Sequence, residues 1–217
     1  MAYEIGVTEV GPAELPLLEV LRETIFSEYA HQTLSTMEQA LDGKKNVLML
    51  IAHLEGNPIG FKVGCEYRPG VYHSRWGGVL KDYRRMGLAK RMQDWQHQFA
   101  KSRGYKTIMF NTFNHFREMM LMGLSTGFKP VAIEWRQGES MSFRFVKSLV
   151  DAIGPVDQST WFREKSVADT GKYIEVDHRD TSRLHYLISN GVKIFGLRYD
   201  TETNTAVVLL RYVPAIV

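Results

Sequence analysis

From Val47 to Leu80 the chain alternates apolar and polar positions in runs broken by glycine and proline, which predicts three consecutive strands. Val47–Leu54 is an apolar run, Gly56-Asn57-Pro58 a turn, and Ile59–Tyr67 the returning strand. On that strand Phe61, Val63, Cys65 and Tyr67 share one face, with Lys62, Gly64 and Glu66 on the other. Pro69-Gly70 turns the chain again into Val71–Leu80, so the middle of the molecule reads as an antiparallel meander. Ahead of it, Tyr3–Val10 reads as a short strand, and Leu18, Leu21 and Ile25 recur at helical spacing. Beyond it the period changes from 2 to 3.6. Leu88, Met92, Trp95 and Phe99 form one stripe of an amphipathic helix that stops at Gly104. Lys106–Thr112 reads as a buried strand. Asn114 caps a helix with Phe116, Met119, Met120 and Leu124 on its apolar side, and Gly127 ends it. Phe128–Trp135 and Ser142–Lys147 are the closing strands.

The texture changes from about Asp151, where Gly154-Pro155 reads as a linker. Strand (Tyr173–Val176), helix (Thr181–Asn190), strand (Val192–Tyr199) and strand (Ala206–Val213) follow. Residues 155–217 thus form a small α+β unit after a first domain at 1–148. So short a unit buries too little surface alone, and it is expected to dock on the first domain or on a second subunit.

Composition narrows the class. The 217 residues are 44% hydrophobic and 24% charged, as in an ordinary globular chain. No apolar run approaches the ~20 residues that span a bilayer, and no basic-then-apolar leader opens the sequence. Cys65 is the only cysteine, which excludes an internal disulfide and any multi-cysteine metal site. A reduced, cytoplasmic setting is expected. The net charge of +3 is concentrated: Lys81, Arg84, Arg85, Lys90 and Arg91 stand in one stretch against Asp82 alone. A local basic cluster suits a small polyanion better than a nucleic-acid duplex.

That cluster lies where a strand runs through Val79-Leu80-Lys81-Asp82-Tyr83-Arg84-Arg85-Met86-Gly87 into the amphipathic helix. Backbone N–H groups in a helix's first turn have no intrahelical partner, and the helix dipole adds positive potential there. With a glycine beside them they can hold a phosphate, although an ordinary basic turn would read the same way locally.

Arg84-x-x-Gly87-x-Ala89 resembles the acyl-CoA pyrophosphate loop of the GNAT N-acetyltransferase superfamily, Gln/Arg-x-x-Gly-x-Gly/Ala. Asn114 followed by Gly127-Phe128 resembles the family's second signature, an Asn opening a helix that ends in Gly-Phe. The resemblance covers roughly Tyr3 to Lys147 in element order. It implies an α/β (α+β) GNAT fold, a central mixed sheet with an antiparallel meander flanked by helices, with residues 155–217 as an appendage. It implies acetyl-CoA as co-substrate, with no metal, wedged where two parallel strands splay apart. Val79 and Leu80 would meet the pantetheine arm. The N–H groups of Arg85, Met86, Gly87, Leu88 and Ala89 would hold the pyrophosphate, with Arg84 and Lys90 adding charge. Asn114 would contact the cofactor from the other strand's end.

The implied reaction is direct attack of an amine on the thioester, with a backbone N–H near Leu80 stabilising the oxyanion. Histone-acetylating relatives carry a glutamate base about eleven residues before the loop's first Arg/Gln, and here that position is His73, whose imidazole suits proton removal near neutral pH. Glu66 on the adjacent strand is the second candidate, and water relay the third. One departure stands out. Many relatives place a tyrosine four residues before the Gly-Phe to protonate the leaving thiolate, and here that position is Gly123. The expected function is therefore N-acetyl transfer to a small-molecule or peptide amine, or, without turnover, acyl-CoA binding as a sensor or interaction module. Neither nucleic acid nor membrane is an expected partner, and a homodimer is compatible with the sequence. His178-Arg179-Asp180 imitates a kinase catalytic loop, but His185 stands where that loop needs Asn. His178 and His185 lack a third metal ligand.

Overall fold

The computed structural model describes residues 5–27, 35–113, 116–136, 140–150, 174–189, 192–200 and 205–212. Asn114 and the Gly154-Pro155 linker lie outside them. The chain forms two compact units, residues 1–108 and 109–217.

In the first unit, strands β1 (Ile5–Glu9), β2 (Leu48–Leu54), β3 (Asn57–Arg68) and β4 (Val71–Val79) pair antiparallel in chain order. Helices α1 (Leu15–Ile25) and α2 (Met37–Leu41) cover one face, and α3 (Leu88–Ser102) packs on β2, β3 and β4. The alternation in β3 divides these faces. Phe61, Val63 and Cys65 join Leu18, Leu21, Met37, Leu41, Met49 and Ile51 in one buried cluster. Each such side chain contributes about 1.5–3 kcal/mol on burial. Leu48 and Leu50 are buried on the opposite, α3-covered side, with Leu88, Met92 and Ala100 from the helix.

The meander is as the pattern predicts, with local differences. The β2–β3 turn is at Glu55 (φ 50°) and Gly56 (φ 80°), one residue earlier than expected, because a two-residue hairpin turn takes positive φ at both positions. Asn57 and Pro58 are already strand. Tyr67, expected with the buried face, is 51% exposed. Helix α2 was not evident from periodicity, yet its signal is a capping box: Thr36 Oγ1 accepts from Gln39 N, and Gln39 Oε1 from Thr36 N.

In the second unit, β5 (Thr107–Phe113, beginning in the first), β7 (Ser140–Ser148) and β6 (Lys129–Arg136) lie in that order, with α4 (Arg117–Ser125) between β5 and β6 in sequence. A separate three-stranded sheet holds β8 (Ile174–Asp177), β10 (Thr205–Tyr212) and β9 (Val192–Asp200), with α5 (Thr181–Ser189) against β9. Strand β9 also meets β6. Among the described residues, no helix is long and apolar enough to cross a membrane.

Candidate active site

The loop between β4 and α3 is built by two left-handed residues. Arg85 has φ 66° and Gly87, the helix N-cap, φ 76°. A Cβ on Gly87 would meet nothing within 4 Å, so the glycine serves its backbone angle rather than close packing. Arg85 pays the strain that glycine avoids, and no sequence signal marked it. The first N–H that bonds back across the helix start is that of Arg91, to Gly87 O at 3.0 Å. The N–H groups of residues 85–90 donate to no backbone carbonyl. The turn thus presents successive free N–H groups at a positive helix end, a cradle for phosphate oxygens. Leu88 is buried and anchors the helix, Ala89 is half-buried, and Arg84, Arg85, Met86 and Lys90 are exposed.

Two of the cationic side chains have local duties. Arg84 Nε donates to Val79 O at 3.1 Å, tying the loop to the end of β4. Lys90 Nζ pairs with Asp94 at 2.5 Å in solvent. The N–H of Leu80 donates to Ile59 O at 2.9 Å, so it faces β3. Strand alternation then turns the backbone groups of Val79 and Gly77 to the opposite edge. The N–H that this strand end turns away from β3 is therefore that of Val79, next to Leu80.

His73 and Glu66 are not brought together. His73 pairs with Cys65 across the β3–β4 ladder, on the α1- and α2-covered face, where Tyr67 meets its ring edge-on at 5.8 Å. Glu66 pairs with Tyr72 on the α3-covered face. Its carboxylate accepts from Tyr105 Oη at 2.6 Å, and that hydroxyl accepts from Asn46 Nδ2 at 2.6 Å. Burial and this bond to Glu66 push the Tyr105 pKa up. A bulge then re-aims β4: Val63 faces Trp76 and Gly64 faces Ser74, leaving Arg75 as the extra residue. The Arg75 guanidinium lies over the Trp76 ring at 4.6 Å, and that of Arg22 from α1 at 5.8 Å. Burial pushes the Cys65 thiol up, consistent with a core residue.

Sequence periodicity missed the polar side of α3. Gln93, Gln96 and His97 are buried, whereas Trp95, assigned to the apolar stripe, is 38% exposed. It also placed the α4 cap at Asn114, but α4 starts at Arg117 with Phe116 as N-cap and no side-chain cap bond. Gly123 packs into the core: a Cβ there would lie 2.7 Å from Phe110 Cζ and 3.3 Å from Phe145 Cδ1. His178, 5% exposed, has Nδ1 3.3 Å from Asp177 Oδ1, and Arg179 holds the Asp177 carboxyl below its usual range. No three metal-binding side chains cluster among the described residues.

Comparison with known proteins agrees with this architecture. None of the curated proteins matches the chain. Among solved structures, the ribosomal-protein-S18-alanine N-acetyltransferase of Escherichia coli superposes with a TM-score of 0.58 at 14% identity, covering 69% of this chain and 96% of that one. A putative acetyltransferase of Acinetobacter baylyi gives 0.57 at 18% identity, covering 72% and 99%. One of Salmonella typhimurium, solved with its cofactor acetyl-CoA, gives 0.55 at 12% identity, covering 70% and 98%. Residues 15–119, just under half of the chain, match the acetyltransferase (GNAT) family.

Proposed function

We propose that the protein is an acetyl-CoA-dependent N-acetyltransferase whose acceptor is a primary amine. The observation that carries this is the run of free N–H groups at residues 85–90, opened by two left-handed residues at the start of a helix in a basic loop. Those groups fit a pyrophosphate. When bound, acetyl-CoA supplies the activated acyl group. Leu88 and the Arg84–Val79 bond hold the cradle against β4, and the Val79 N–H, turned away from β3, donates to the oxyanion in this reading. His73 takes the acceptor's proton, and Lys90 and Arg85 add charge at the phosphates.

Calorimetry with acetyl-CoA tests the cradle. Gly87→Ala adds no clash, but holding alanine at positive φ costs roughly 1–2 kcal/mol, so affinity should fall about tenfold. Arg183→Ala on α5 should leave it unchanged. Equal binding by all three proteins, or no binding by the unmodified chain, overturns the reading.

A second reading is a non-catalytic acyl-CoA-binding module. Gly123 favours it, because a phenol at that position has no room beside Phe110 and Phe145. Thiol release over a panel of amines and peptides separates the two.

A further inference from the structure

Lys62 lies on β3 with 6% of its surface exposed, and no carboxylate among the described residues pairs with it. Burying the side chain without a counter-ion for its ammonium is costly, and burial lowers its pKa to about 8. An apolar residue of the same length would fill the place without that cost. An unsatisfied group shares this side of the sheet: Gln96 of α3 is fully buried, and neither atom of its amide is hydrogen-bonded. It roofs Gly64, which is two residues from Lys62 on the same face of β3. Buried polar groups in a native fold are normally satisfied, so the Gln96 amide points to a polar group that completes it on the face where Lys62 lies.

The packing shows where Lys62 reaches. It faces Gly77 across the β3–β4 ladder, and a Cβ on Gly77 would lie 3.2 Å from Lys62 Cγ. The stem therefore leans toward β4 over Gly77, in space that a side chain there would crowd. The backbone groups of Gly77 share with Val79 the strand edge turned away from β3.

We propose that Lys62 is the acid of the transfer reaction, donating its proton to the sulfur that leaves. This rests on the acetyl-CoA reading above, which runs the pantetheine arm along that edge. As the acceptor nitrogen bonds to the acetyl carbon and the C–S bond breaks, Lys62 Nζ passes one proton to the departing sulfur, which leaves as the free thiol. The acceptor's proton goes to His73 or water. Lys62, left neutral, regains a proton from water. A donor matched to a thiol, which ionises near 8.5, transfers its proton efficiently.

Lys62→Met is the test, read first with CoA alone. The ultraviolet absorbance of the thiolate, titrated in the complex, should show about tenfold more thiolate at a given pH in the unmodified protein than in the variant. In turnover, kcat should fall about 10²-fold with CoA affinity unchanged. The variant should be at least as stable at pH 7. The unfolded chain holds the Lys62 proton more tightly than the folded one, so unmodified stability should gain from Lys62 as pH rises from about 8 toward the ordinary lysine value near 10.4. Glu66 and Tyr72 on the sheet, Tyr105, His97 on α3, and Cys65 behind them are common to both proteins, so their titrations cancel in the difference. CoA binding with identical thiolate titration in both proteins overturns the role of Lys62 alone, whereas no CoA binding overturns the acetyl-CoA reading with it. A less stable variant, or acetylation of Lys62 found by mass spectrometry, replaces the acid role with a structural or nucleophilic one.

Discussion

His73 stands opposite Cys65, half-buried, with the Tyr67 ring against its edge. A lysine-like amine is only about one part in 10³–10⁴ neutral at pH 7, a penalty of roughly 4–5 kcal/mol that a positioned base relieves. His73→Gln should therefore lower kcat/KM by about 10²–10⁴ while acetyl-CoA affinity, measured by calorimetry, holds. It should also remove an ionisation from the pH–rate profile. Glu66 is the contrast. Its carboxylate is engaged by Tyr105 on the other face, so Glu66→Gln should change the rate less than about threefold and act on stability, at about 1 kcal/mol for a lost charged hydrogen bond. An unchanged rate in His73→Gln across pH 6–9, with a collapsed one in Glu66→Gln, would exchange the two roles.

At the scale of elements, α4 explains why the position of the expected tyrosine is empty. Its Gly123 lies against Phe110, whose ring stacks on Phe145 with centroids 4.8 Å apart and planes 2° from parallel. Gly123→Tyr should not restore an acid. It should force the Phe110–Phe145 pair apart and cost about 3 kcal/mol, seen as a lower melting temperature with no gain in thiol release. Full stability with faster release would mean that residue 123 faces the reacting sulfur after all. What the sequence revealed, and what it hid, follows from the same physics. Alternation in β3 and the helical stripe of Leu88 and Met92 were legible because burial of apolar side chains dictates both periods. The start of α3 at Gly87 was legible because a basic, glycine-bearing turn precedes the apolar stripe, and Gly87 is the N-cap. The left-handed Arg85, the bulge at Arg75, and the turn of Leu80 N–H toward β3 were not, since hydrogen-bond register is decided by neighbouring strands. Gln93, Gln96 and Lys62 were hidden because a hydrophobicity pattern scores buried polar residues as surface.

At the scale of the whole molecule, the solved acetyltransferases are covered nearly completely by about seven-tenths of this chain: 96% of the Escherichia coli enzyme by 69% here. Strands β8, β9 and β10 are not a free tail, since β9 meets β6 within the compact unit of residues 109–217. Strand β6 ends the row β5-β7-β6, and β9 ends the row β8-β10-β9. An end strand with unpaired N–H and C=O groups templates association when uncovered. A chain stopped after Val150 removes β8, β9, β10 and α5 together and strips the neighbour from β6. It should lose solubility or form larger particles in light scattering, and melt at lower temperature. The loop at residues 84–90 belongs to the first unit, so acetyl-CoA affinity of the soluble fraction should stay within about twofold of the full chain. A shortened chain that remains monomeric and equally stable would show that the strand contact contributes nothing. Lost acetyl-CoA affinity in a folded, soluble product would instead give residues 151–217 a part in shaping the cofactor cradle.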